Sequence, residues 1–166
     1  MHSKRTLTFC IALCLLTIIL DQASKWIIIS NLKINSIINV FTGFNLILVF
    51  NYGTSFGLLS PNTVFGLLSP NTVYGAYCLM VISVLLIIIL LFAFCNFRNN
   101  IEKILLSVLI GGAIANLIDR IIHGAVIDFI DIYYKNWHWP AFNLADIAIT
   151  CSSSCLVLYN LFNKKN

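Results

Sequence analysis

The sequence predicts an all-α integral membrane protein with four transmembrane helices and a small extracytoplasmic β-platform. Three observations predict it. The chain is 60% hydrophobic with a mean hydropathy of +0.94. Only 10% of its residues are Asp, Glu, Lys or Arg, where a soluble domain has about a quarter. Four stretches are long and apolar enough to cross a bilayer, which takes about 20 helical residues. A soluble globule of this size has too much surface to hide that much apolar side chain, and a disordered chain is poorer in it.

The spans are expected at about 7–29, 74–97, 104–122 and 142–162, within one membrane-embedded domain covering 1–166. The second is the cleanest, with no charge from Leu79 to Phe94. The first could be mistaken for a cleaved leader, since Lys4 and Arg5 precede the apolar run. Asp21-Gln22-Ala23-Ser24-Lys25 follows without an A-x-A-like site, so it reads as a retained helix. Lys4 and Arg5, Arg98 and Lys103, and Lys164 and Lys165 fall on one side of a four-span chain. Positive residues collect inside, so both termini are expected in the cytoplasm.

The outer segments, 30–73 and 123–141, carry strand signals. Ile37 to Asn51 is rich in β-branched and aromatic residues around Thr42-Gly43, a strand–turn–strand pattern. Val126 to Tyr134 has high β-propensity, although Asp128 and Asp131 break strict alternation. Two identical nonapeptides, Phe56 to Val64 and Phe65 to Val73, read as a duplication lengthening an exposed loop.

Function must come from polar residues, because charges within spans are costly. Asp21, Lys25, Asp119, Arg120, Asp128 and Asp146 all fall toward the outer ends of spans or in the outer segments. On the third span Gly112, Asn116, Asp119, Arg120 and His123 share one helical face; on the fourth, Asn143, Asp146, Thr150 and Ser153 do. Two antiparallel helices can bring these stripes to similar depth. Asp21 and Lys25 form an i,i+4 pair that can neutralise itself. Asp119 beside Arg120 reads as a charge-compensated structural pair. Asp128 and Asp146 have no basic residue within three positions. Two carboxylates in a partly dry site cannot both ionise easily, so one keeps its proton and the other acts as base on water. That is aspartic-protease chemistry.

Other chemistries are weaker. The cysteines (10, 14, 78, 95, 151 and 155) lie in spans without histidine, and His2, His123 and His138 form no H-E-x-x-H, so no metal or other cofactor is expected. Gly53-Thr54-Ser55-Phe56-Gly57 matches G-x-S-x-G but lacks the strand–turn–helix context of a nucleophile elbow. A dyad of a serine with Lys25 or Lys33 is no stronger. No Lys/Arg block suggests nucleic acid. A small multispan transporter would explain intramembrane carboxylates as ion sites, but such sites lie near the midplane. A non-catalytic scaffold would leave Asp128 and Asp146 individually replaceable.

Five ordered segments resemble the bacterial lipoprotein signal peptidases, the signal peptidase II family. They are Asp21-Gln22-x-x-Lys25; Asn51-x-Gly53-x-x-Phe56-Gly57; Gly111-Gly112-Ala113-x-x-Asn116-x-x-Asp119-Arg120; Gly124-x-Val126-Ile127-Asp128-Phe129; and Phe142-Asn143-Leu144-Ala145-Asp146. The resemblance implies an inner-membrane aspartic endopeptidase that cuts prolipoproteins before a cysteine already bearing diacylglycerol, without a metal. It places the catalytic pair on Asp128 and Asp146. Asp21, Lys25, Asn51, Gly53, Gly112, Asn116, Asp119, Arg120, Asn143 and Ala145 support the site or bind substrate. The partners are then the lipidated substrate and membrane lipid, and the chain is expected to act as a monomer.

The duplication falls after the second segment, and its first copy keeps the spacing from Asn51. Deleting Phe65 to Val73 joins Val64 to Tyr74 with all five segments intact. Activity measured on the deletion variant is expected to survive; complete loss would show that the second copy has a structural role.

Overall fold

The computed structural model describes residues 2–34, 36–53, 73–97 and 99–163. Four helices form the body: α1 (His2–Asn31), α2 (Val73–Asn96), α3 (Asn100–His123) and α4 (Leu144–Asn163). All four are long and apolar enough to cross a membrane. Four strands complete the fold: β1 (Ile37–Phe41), β2 (Phe44–Asn51), β3 (Val126–Tyr134) and β4 (Trp137–His138). The duplicated nonapeptides except their last residue, Val73, together with Ser55 and the basic residues Arg98, Lys164 and Lys165, lie outside the described residues.

Helix α3 is the centre of the bundle, packing against α1, α2 and α4. Half of its most apolar window is buried inside the protein, against 6–11% for the other three, whose side chains mostly face outward. In lipid, apolar side chains gain nothing by leaving the hydrocarbon, so helices associate through small residues and polar contacts. Adjacent glycines on α3 do this in two directions. A Cβ on Gly111 would stand 2.8 Å from the Cys14 carbonyl oxygen of α1, and one on Gly112 would stand 2.8 Å from the Ala145 carbonyl oxygen of α4.

The local signals of α3 are plain. Asn99 caps its start by accepting from the Ile101 N–H at 2.9 Å. Gly124 ends it in the left-handed region at φ 70°, its N–H donating to the Arg120 carbonyl. This sharp stop turns the chain directly into β3.

The sheet is antiparallel in the order β1-β2-β3-β4. It collects the C-terminal ends of α1 and α3 and the N-terminal end of α4. One face of β2 (Phe44, Leu46, Leu48, Phe50) packs with Ile127, Phe129 and Ile130 against Ile28 and Leu32 at the end of α1. Pairing between β2 and β3 is irregular between Leu46 and Val49. That irregularity is why Asp128 and Asp131, three apart, both reach asparagines of β2 despite the period-two alternation of a strand. Phe142 bridges to Ile130 instead of opening the last helix, so α4 begins at Leu144.

The two kinds of glycine should respond differently to alanine. Gly112→Ala must displace backbone at a helix–helix contact and is expected to cost about 1–3 kcal/mol or more. Gly124→Ala meets nothing within 4 Å and should cost only the left-handed strain of about 1 kcal/mol. Melting temperatures in detergent would check the order; a larger loss at Gly124 would contradict it.

Candidate functional site

The polar residues converge where the sheet meets the helix ends. The lowest layer is a buried ion cluster. The Lys25 ammonium lies 2.6 Å from Asp21 Oδ2 and 2.6 Å from Asp119 Oδ2, and donates to Asn116 Oδ1 at 3.1 Å. Its three N–H donors therefore meet three acceptors. Asp21, Lys25 and Asp119 are each at most 1% exposed.

The expected i,i+4 pairing of Asp21 with Lys25 is present, but Lys25 also neutralises Asp119. The expected pairing of Asp119 with Arg120 is not what forms. Successive helical residues point about 100° apart, so Asp119 faces α1 while the Arg120 guanidinium donates back to the Asn116 carbonyl at 3.2 Å. Asp119 also accepts from Gln22 Nε2 at 2.8 Å and from the Ile127 N–H at 3.2 Å. Gln22 also donates to the Ala115 carbonyl at 3.2 Å. Its position, three residues before Lys25, was the available signal for this role, which sequence reasoning left unassigned. The same holds for Gly111 and its contact with α1.

The next layer is the start of α4. Asn143 Oδ1 accepts from the Asp146 N–H at 2.8 Å, and Asp146 Oδ2 accepts from the Asn143 N–H at 3.3 Å. This reciprocal arrangement is a capping box made with Asn and Asp. It satisfies two N–H groups at the helix start and locks Asp146 in the first turn. The Ala145 N–H is taken by Asp21 Oδ1 at 2.8 Å, so α1 supplies an anion to the positive end of α4.

The two remaining carboxylates are joined through asparagines. Asn143 Nδ2 donates to Asp128 Oδ1 at 2.8 Å, and Asn51 Nδ2 donates to Asp128 Oδ2 at 2.8 Å. Asn116 Nδ2 donates to Asp146 Oδ1 at 2.8 Å. Asn51 is itself held by the Gly53 N–H, which donates to its Oδ1 at 2.8 Å across a turn with Gly53 at φ 88°. Asp128 is 2% exposed and Asp146 is half-buried. Burial pushes the Asp128 carboxyl from its usual 3.8 up to about 7, with the Asp146 charge adding to the rise. The amides of Asn51 and Asn143 and the charge of Lys25 act in the opposite direction.

Of the two predicted polar stripes, the parts near the sheet meet: Asn116 contacts both Asn143 and Asp146. Further along, Thr150 is exposed and His123 turns outward to stack edge-on with Phe50. Helix α4 instead packs through Ala145, Ile149 and Ser152, spaced one helical face round from the polar stripe. Lys33 is exposed. His138 pairs with Asp131 at 2.9 Å.

Comparisons with known proteins agree on one family. The family described as Signal peptidase (SPase) II matches residues 13–162. The lipoprotein signal peptidase of Polynucleobacter necessarius subsp. necessarius (strain STIR1) is 35% identical, over 93% of this chain and 89% of that protein. The lipoprotein signal peptidase of Anaplasma phagocytophilum (strain HZ) is 42% identical, over 80% and 78%. A solved bacterial membrane enzyme, determined by the in meso method at 1.9 Å, superposes with a TM-score of 0.76 at 27% identity, covering 93% of this chain and 92% of that one. The multispan transporter alternative is not supported by these relatives.

Replacing Lys25 by Met leaves two buried carboxylates facing each other without a cation. The expected loss is about 3–5 kcal/mol, the usual cost of removing one partner of a buried pair. Combining Lys25→Met with Asp119→Asn should recover part of it. Thermal unfolding in detergent of both variants gives the answer; a single variant as stable as the native chain would show that Lys25 is not the cluster's counter-ion.

Proposed function

The chain belongs to the signal peptidase II family, and we propose on that premise that it removes the signal peptide from prolipoproteins as a membrane aspartic endopeptidase. The substrate carries diacylglycerol on the cysteine that follows the cleaved bond. Asp128 and Asp146 are the catalytic pair. The observation that carries this reading is the pair of carboxylates, brought from a strand and a helix, that share Asn143 as a hydrogen-bonding partner.

The chemistry follows from the different surroundings of the two acids. A carboxyl that holds its proton up to about pH 7 suits Asp128 to the role of acid. Asp146 takes a proton from a water as its oxygen attacks the scissile carbonyl carbon. Asp128 gives its proton to the carbonyl oxygen, forming a tetrahedral diol. On collapse the Asp146 proton passes to the leaving nitrogen, a diol proton returns to Asp128, and the C–N bond breaks. The products are a carboxyl-terminated signal peptide and a free cysteine amine. Asn51, Asn116 and Asn143 orient the two carboxyls with neutral amides, and Asp21, Lys25 and Asp119 hold the elements that carry them. Gly53 shapes the turn that aims Asn51, Gly112 lets α4 approach α3, and Ala145 bonds Asp21 at the start of α4. Arg120, one turn beyond Asn116 on α3, is near enough for its charge to act on Asp146 and Asp128.

A signal peptide's apolar core and two acyl chains partition into lipid, so an enzyme embedded there meets its substrate by lateral diffusion. The basic residues at the ends of the spans favour cytoplasmic termini and a site at the outer face of the bacterial inner membrane. No metal is needed for the pair to act, and the chain works as a monomer.

Asp128→Asn and Asp146→Asn should each lower turnover by about 10²–10⁴-fold or more while folding is retained. The double variant should be little worse than either single, because the pair acts as a unit. The measurement is cleavage of a diacylglyceryl-modified prolipoprotein in micelles by the folded fraction; near-native turnover by either single variant would remove that residue from the pair.

The pH dependence has a definite sign. The protonated Asp128 is the donor, so kcat/KM should fall as pH rises through about 7. The same raised value means that native Asp128 keeps a proton the unfolded chain has released. Its contribution to stability therefore declines as pH rises from about 3.8 to about 7. Asp128→Asn should remove that decline, which unfolding measured across this window would show.

A further inference from the structure

On the sheet, away from the buried ion cluster, a cavity of about 350 Å³ is bounded by Ile37, Ile47, Val49, Asp131, His138 and Trp139. That volume is within the range of ligand sites. One wall is polar and built with care. Asp131 is buried, and its carboxylate receives Asn45 Nδ2 at 2.7 Å and His138 Nδ1 at 2.9 Å. Asn45 is held in turn by Asn39 Nδ2 at 2.9 Å, and Asn39 also reaches the Tyr133 hydroxyl at 3.0 Å. The His138 ring stacks on Tyr133 with centroids 5.2 Å apart and planes 19° from parallel. A carboxylate that engages Nδ1 fixes an imidazole's orientation and tautomer and leaves Nε2 for another partner. Yet the His138 side chain remains 51% exposed. Structure invested in orienting a half-exposed ring on a cavity wall is the arrangement of a binding group.

The cavity lies beside the strand position that carries Asp128, one of the proposed catalytic pair. Val49 lines it and is the cross-strand partner of Asp128. Two residues further along β2, Asn51 bonds Asp128. Ala141 also lines it, two residues before Asn143, which bonds both carboxyls. The sheet lies beyond the helix ends, so a chain leaving the bilayer past Asp128 and Asp146 runs onto it.

We propose that this cavity is a substrate subsite, resting on the peptidase reading above, and that it takes the polypeptide segment immediately following the lipidated cysteine. The segment lies extended along β2. A backbone N–H or hydroxyl of the segment bonds His138, and a small side chain packs against Ile47 and Val49. Asp131 and Asn45 are positioning residues that act through the ring. The signal peptide itself is excluded from this role, because its apolar stretch belongs among the lipid-facing helices.

The test uses the full chain and two lipidated substrates, one continuing for several residues after the cysteine and one ending at the cysteine amide. His138→Ala removes the polar anchor, and Ile47→Trp fills the cavity from another strand. The native chain should cut the long substrate about fivefold to tenfold more efficiently, mostly through KM, as suits one hydrogen bond and a small apolar contact. Both variants should cut the long substrate at the short substrate's efficiency and should not differ from the native chain on the short one. Equal efficiency of the native chain on the two substrates overturns the subsite. So does an equal loss on both substrates in variants that melt like the native chain, which marks a structural role. If one variant fails to fold, the other decides. Failure of the native chain to cut either substrate overturns the peptidase reading itself, and is distinguishable from all of these.

Discussion

An ammonium 2.6 Å from each of two carboxylates, shut away from water, is the contact on which the other parts of the site depend. Lys25 neutralises Asp21 on its own helix and Asp119 on α3, and its third proton goes to Asn116. The two carboxylates then reach outward with their remaining capacity. Asp21 takes the Ala145 N–H at the start of α4, and Asp119 takes the Ile127 N–H at the start of β3. One cation thus joins three helices and a strand. Burying such charges costs desolvation, and ion clusters of this kind are weak contributors to net stability. What they supply is position: an unpaired charge here is so unfavourable that only one mutual arrangement of α1, α3, α4 and β3 satisfies all of them.

The strong charges sit one layer below Asp128 and Asp146, while the groups bonded to those two acids are neutral amides. A cation bonded directly to Asp128 would favour its ionised form and draw its pKa down. Amides from Asn51 and Asn143 orient it at smaller electrostatic cost, and burial then prevails, leaving it near 7. Geometry and proton affinity are in this way set by different residues. The capping box of Asn143 and Asp146 serves both ends: it closes the first turn of α4 and frees the Asn143 amide to reach β3.

The sheet has two faces with different tasks. Phe44, Leu46, Leu48 and Phe50 anchor it to the end of α1, and the asparagines at 45 and 51 hold Asp131 and Asp128. Because α3 ends sharply at Gly124, β3 follows at once, and Asp128 stands only nine residues from Asp119. The buried charge cluster and the strand that carries Asp128 are therefore rigidly related.

Much of this was legible in the sequence. Apolar runs of about 20 residues define spans whatever their partners, because the bilayer is a uniform solvent with a fixed thickness. The polar residues near span ends stood out because lipid makes each of them costly, and β-branched and aromatic enrichment marked both strand regions. Pairing was not legible. Asp119 and Arg120 are neighbours along the chain but diverge around the helix, while Asp119 and Lys25 are 94 positions apart and 2.6 Å apart in space. Nor could sequence reveal that α4 packs through Ala145, Ile149 and Ser152, or that Asp131 and His138 face one cavity. The segments apolar enough to span a membrane, and the polar residues gathered near their ends, can be read from the chain alone, because transfer to lipid acts on each side chain separately. Which charge answers which is set by the folded arrangement, because Coulomb attraction and hydrogen bonding depend on distances that the helix crossings and the strand register set.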